Sequence, residues 1–144
     1  MSEDVHYYST SLEWKEGRIG NLTETSFPDI EVATPPEFPK GVENTWSPEH
    51  LFVASANVCL MTTFLAIAEN SKLEFKKYSC EAKGKLEKVD GKFMISEIVL
   101  KPRIVLEAGK DVDRAHRIIE KSEKACLISN SMKSEIKLEP EITT

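Results

Sequence analysis

The chain has 144 residues, 40% of them hydrophobic and 30% charged, which suits a single domain spanning 1–144 with a real core and excludes global disorder. Nineteen basic residues against 24 acidic ones give a net charge of −5, so no basic footprint points to a nucleic-acid partner. Three cysteines, Cys59, Cys80 and Cys126, form no C-x-x-C and lie too far apart for a secreted disulfide scaffold, a zinc ribbon or a thioredoxin-type motif.

The first ten residues are polar and acidic, so no signal peptide is expected there. From His6 to Lys15 polar and apolar residues alternate, the period-2 pattern of a half-buried strand. Glu16-Gly17 offers a turn, and Arg18 to Leu22 returns as the second strand of a hairpin. Between Ser26 and Trp46, four of the seven prolines predict a stiff loop barred from a sheet interior, and long loops of this kind often cover a site.

A long helix follows. Ser47 suits the N-cap, Pro48 the first helical position, and Glu49 the positive end of the dipole. The helix should reach Asn70, a length of roughly 33 Å. Its stretch from Leu51 to Ala68 has 18 residues without a charge, at the lower edge of transmembrane length. Ser55, Asn57, Thr62 and Thr63 interrupt it, and no aromatic belt or Lys/Arg cluster flanks it, so a buried core helix is expected and no membrane partner.

Tyr78, Cys80, Ala82, Gly84 and Leu86 alternate with charged and polar residues as a strand. Asp90-Gly91 is a hairpin turn, and Phe93 to Glu107 is the return strand, with Pro102 marking an edge or a bulge. A second helix begins near Asp111 and aligns Val112, Ala115, Ile118, Ile119, Ser122, Ala125 and Cys126 on one face; Ser134 to Leu138 reads as a short last strand. The order predicts an α+β fold, with antiparallel sheets packed around a long buried central helix.

Cys80, on the inward face of its strand, reads as a small buried hydrophobe. For Cys59 and Cys126, each taken alone, core packing is also the simpler reading, because a reactive thiolate in apolar surroundings needs a nearby cation or hydrogen-bond donors. Arg18 is a candidate cation, although periodicity does not bring it to Cys59. His6, His50 and His116 have no ligand spacing with a cysteine. A hydrolase elbow, a P-loop and a dinucleotide fingerprint are absent.

The block PPEFPKGVENTWSPEHLFVASANVCLMTTFLAIAEN, with CLISNSMK beginning 67 residues after its cysteine, resembles the OsmC/Ohr family of osmotically inducible and organic hydroperoxide resistance proteins. That family pairs Pro-Glu at the start of a long apolar helix, here Pro48-Glu49, with a cysteine ten residues on, Cys59, and a later Cys-x-x-Ser-Asn, here Cys126 to Asn130. Gly17-Arg18 resembles the family's arginine position. The resemblance implies thiol-dependent reduction of hydroperoxides, with Cys59 peroxidatic and Cys126 resolving. It assigns Arg18 to holding the thiolate and polarising the peroxide, and Glu49 to orienting Arg18. It implies no bound cofactor, an external dithiol reductant such as a lipoyl group, a reducing cytoplasm and an intertwined homodimer. Glu123 stands three residues before Cys126, where many members carry histidine, and Leu127 follows it where proline or an aromatic is frequent.

Glu49 and Cys59 lie about 15 Å apart along one continuous helix. If both serve one site, a second subunit supplies one of them, and an obligate dimer is expected. Two other readings remain: a hotdog-like thioesterase or acyl-binding protein using Glu49 as its acid, and a non-enzymatic stress or ligand-binding dimer. The paired cysteine blocks favour the peroxidase.

Overall fold

The computed structural model describes residues 4–144, so the first three residues of the leader question lie outside the described residues. The chain divides into two compact units, residues 1–51 and 52–144.

The first unit carries a three-stranded antiparallel sheet, β1 Ser11–Glu16, β2 Ile19–Thr23 and β3 Ile30–Ala33, in that order. The hairpin between β1 and β2 is as expected, with Gly17 at φ 54 in its turn. β1 starts five residues later than the alternation, because Ser11 pairs with Thr23, where β2 ends, and His6 to Thr10 have no strand to face. β3 corrects the expected proline loop. Its four residues fit between Pro28 and Pro35, so the prolines flank the strand without removing a ladder donor. Ala33 then donates to the Trp46 carbonyl at 2.9 Å, tying the loop back on itself.

Helix α1, Pro48–Asn70, has the predicted bounds. The Ser47 hydroxyl accepts from the His50 backbone N–H at 3.1 Å, which is the N-cap bond, and lies 2.7 Å from His50 Nδ1. By length and composition α1 can cross a membrane; here it gives a stripe, Ala56, Leu60, Phe64 and Ala68, to the core of the second unit. Its burial is one-sided within the single chain, where Val58, Met61 and Leu65 are exposed.

Strands β4 Lys77–Val89 and β5 Lys92–Val105 form an antiparallel hairpin through Asp90-Gly91, both at positive φ. Even-numbered residues of β4 and of β5 from Ile98 onward face the core: Ile98, Leu100 and Ile104 are fully buried, and Tyr78, Cys80 and Ala82 pack beside them. β4 runs antiparallel to α1, since Phe64 stacks on Tyr78, Asn57 bonds the Cys80 carbonyl and Val53 lies over Gly84. Helix α2, Val112–Ala125, capped by Asp111, closes the core with Ala115, Ile118 and Ile119.

The tail differs from expectation in two respects. β6 Glu135–Leu138 and β7 Glu141–Thr143 both pair with β5 in parallel, so β5 is a central strand and its sheet is mixed. Pro102 therefore sits in a central strand. It is tolerated because β6 covers Glu97 to Leu100 and β7 covers Arg103 to Val105, leaving residue 102 at the gap between them. The bulge lies elsewhere, where Lys85 pairs Glu97 and Leu86 pairs Ile95.

Candidate functional site: a buried cysteine pair

Two of the three thiols are brought together from opposite ends of the second unit. Cys59 lies midway along α1 and is 8% exposed; Cys126 is the C-cap of α2 and is fully buried. Both are free thiols. The turn after Cys126 is tightly built: Asn130 donates its backbone N–H to the Cys126 carbonyl at 3.0 Å and its side-chain amide to the Lys124 carbonyl at 3.1 Å. A short 3-10 turn, Ser129–Ser131, follows, with the Ser129 hydroxyl 3.5 Å from Cys126 Sγ. The Cys-x-x-Ser-Asn spacing thus closes the helix and supplies a donor to the cysteine. It also delivers the backbone of Leu127 and Ile128 to Cys59.

Burial raises the pKa of Cys59, but hydrogen bonds from the Cys126 side chain, the Ile128 backbone, the Thr63 hydroxyl and the Leu127 backbone outweigh it, and the net shift is downward. Thr63 Oγ1 lies 3.8 Å from Cys59 Sγ, one helical turn further along α1. Cys126 moves the opposite way: burial raises it first, and its hydrogen bond to Cys59 and the Cys59 charge add to that, while Ser129 offsets part. The pair is therefore polarised. Cys59 is the better thiolate and Cys126 the proton holder, an arrangement suited to one sulfur attacking and the other following. Cys80 is raised by burial, which outweighs the lowering effect of the Tyr78 hydroxyl and the Lys101 backbone, and its thiol lies 3.7 Å from the Glu81 carbonyl.

The other two sequence candidates, Arg18 and Glu49, belong to the first unit. Arg18 is the second residue of the hairpin turn, is exposed, and has no hydrogen-bond or ion-pair partner among the described residues. Glu49 stands in the first turn of α1 with its Oε1 buried and likewise unpartnered among the described residues. The structure does not join these two to each other. Sequence reasoning missed Thr63 and Ser129. The signals were present, a hydroxyl four residues after Cys59 and one three residues after Cys126, each within reach of a sulfur on a helix or tight turn.

A family model described as OsmC-like protein matches residues 41–141. YmaD of Bacillus subtilis strain 168, an uncharacterized protein, is 26% identical over 141 residues, covering 94% of this chain and 93% of its own length. Among solved structures, an OsmC-like protein of unknown function from Vibrio cholerae superposes with a TM-score of 0.87 at 24% identity, over 94% of this chain and 99% of that one. An organic hydroperoxide resistance protein from Elizabethkingia anophelis superposes with a TM-score of 0.75 at 22% identity, over 96% and 98% of the two chains. At these identities the superpositions establish a shared fold.

Proposed function

The chain belongs to the OsmC-like family, and from that premise we propose that it is a thiol-dependent peroxidase reducing organic hydroperoxides through Cys59 and Cys126. The observation that carries the reading is the polarised cysteine pair, assembled from residues 67 apart, with Cys59 lowered and Cys126 raised.

In the first step the Cys59 thiolate attacks the terminal oxygen of a hydroperoxide. The O–O bond breaks, an alcohol leaves after taking a proton, and Cys59 becomes a sulfenic acid. Cys126 then attacks the Cys59 sulfur, its proton leaves with the hydroxyl as water, and a disulfide forms. An external dithiol, of the lipoyl kind, reduces that disulfide by exchange and is itself oxidised. Arg18 is assigned to hold the thiolate and the peroxide oxygen, and Glu49, with its unmatched buried oxygen, to orient that guanidinium. Glu49 and Cys59 are ten helical residues apart on an unbroken α1, so the working site takes them from two copies of the chain. A reducing cytoplasm is the compartment in which such a pair resets.

The test is one equivalent of cumene hydroperoxide added to reduced protein, with disulfides mapped by mass spectrometry in wild type and Cys59→Ser. A rapid Cys59–Cys126 bridge that disappears in the variant is the expected result. Oxidation of Cys59 no faster than that of Cys80 overturns the reading.

A further inference from the structure

Arg18 sits on a two-residue turn that has little of its own to hold it. Gly17, at φ 54, has no side chain, and a Cβ built there would meet nothing within 4 Å. Arg18 itself is exposed and unpartnered among the described residues. A long cationic side chain on such a turn samples many directions, whereas a group that must meet a reacting sulfur needs one.

A single contact counters that freedom. The Trp14 indole Nε1–H donates to the Gly17 carbonyl at 3.0 Å, reaching three residues along the chain. The Gly17 carbonyl and the Arg18 N–H belong to one planar peptide unit, so holding the oxygen holds the plane from which Arg18 departs. β1 is shaped for this reach. Trp14 pairs with Gly20 and Glu16 with Ile19, so Lys15 is an extra residue that bulges the strand just before the turn. Gly20, opposite Trp14, has no side chain to engage the indole across the strands. Lys15, the bulged residue, gives its ammonium to Glu31 of β3 at 3.0 Å and does not compete for the carbonyl. Trp14 is also 74% exposed, an unusual setting for a residue that is mostly buried elsewhere. Water could serve both the indole N–H and the carbonyl, so the bond rescues no buried group. What it changes is the geometry of the turn.

We propose that Trp14 is a positioning residue for the thiolate-binding arginine: its indole holds the Gly17–Arg18 peptide so that the guanidinium is delivered to Cys59 in one direction. The inference rests on the proposed function for the role of Arg18, and on the indole–carbonyl bond for its own. Trp14 acts only through Arg18 and takes no part in the chemistry.

The test compares wild type with Trp14→Phe, which keeps a ring without a donor, with Arg18→Ala, and with the two combined. A further chain carries benzothienylalanine at position 14, which keeps the indole shape with sulfur in place of N–H. The readouts are kcat/KM for cumene hydroperoxide and the pH midpoint of Cys59 alkylation by iodoacetamide, which needs no peroxide. Arg18→Ala should raise that midpoint by about one pH unit, the effect of losing a nearby cation. Trp14→Phe and the benzothienylalanine chain should each raise it by about half as much. Both should lower kcat/KM about fivefold, the effect of one hydrogen bond. In the Arg18→Ala background, Trp14→Phe should change neither readout. Equal effects of Trp14→Phe with and without Arg18 overturn the proposal, as does an effect that benzothienylalanine fails to reproduce. A Trp14→Phe chain that matches wild type while Arg18→Ala does not overturns it too. If Arg18→Ala changes neither readout, the role given to Arg18 and the proposal fall together. If wild type consumes no peroxide, the peroxidase reading fails, while the alkylation midpoints still decide whether Trp14 acts through Arg18.

Discussion

At the scale of single residues, the cysteine pair makes its asymmetry measurable. Cys126 is the first side chain among the groups that lower Cys59, against the opposing effect of burial. Cys126→Ala should therefore raise the Cys59 pKa, and Cys126→Ser, which keeps a donor, should raise it less. A thiolate with a lowered pKa is already present below the range of an ordinary thiol, so wild-type alkylation by iodoacetamide should saturate at lower pH than that of Cys80. The variants should need progressively higher pH, with rates at neutrality several-fold down for Cys126→Ala. A pH–rate profile for Cys59 checks this, and identical profiles for wild type and Cys126→Ala contradict it. The sequence shows the two cysteines and their motifs plainly. It does not show that Ile128 and Leu127 reach Cys59 through their backbones, because a main-chain contact leaves no mark on residue type.

At the scale of elements, the contact that sets α1 on its sheet is made by a residue with no side chain. A Cβ on Gly84 would lie 2.5 Å from Val53 Cγ2, so glycine is required for the helix to lie against β4. Gly84→Ala should destabilise the protein by about 1–3 kcal/mol through overpacking. Val53→Ala should recover much of that loss in the double variant, as a double-mutant cycle by urea unfolding would show. Additive effects would mean that the two do not meet. The elements that sequence reading recovered are those marked by their own periodicity or turn residues: the β1–β2 hairpin, α1, the β4–β5 hairpin through Asp90-Gly91, α2 and β6. Those it missed depend on a neighbour. β3 exists because β2 offers Ile19 to Leu22 an edge, and β7 is three residues held by Arg103 to Val105. Parallel pairing of the tail likewise depends on which side of β5 remains open, which no local pattern records.

At the scale of the whole molecule, α1 poses the remaining question. Ala56, Leu60, Phe64 and Ala68 fill the core on one side, while Val58, Met61 and Leu65 are 55%, 37% and 41% exposed on the other. The charge-free run thus exceeds what one chain buries, and an exposed apolar face of this kind marks an interface. Wild type should sediment at twice the chain mass, and Val58→Glu with Leu65→Glu should dissociate it without loss of far-ultraviolet circular dichroism. A wild-type monomer that still consumes hydroperoxide excludes a shared site. The spacing of Glu49 and Cys59 allows a sharper test. Glu49→Gln and Cys59→Ser are each expected to be inactive alone. If every site takes its cysteine from one copy and its carboxylate from the other, a mixed dimer of the two variants holds one intact site and one lacking both groups. Unfolding and refolding the variants together should then restore about a quarter of the wild-type rate, since half the dimers are mixed and half of their sites are whole. If instead each copy supplies both groups to its own site, the mixture contains no intact site, and mixing restores nothing.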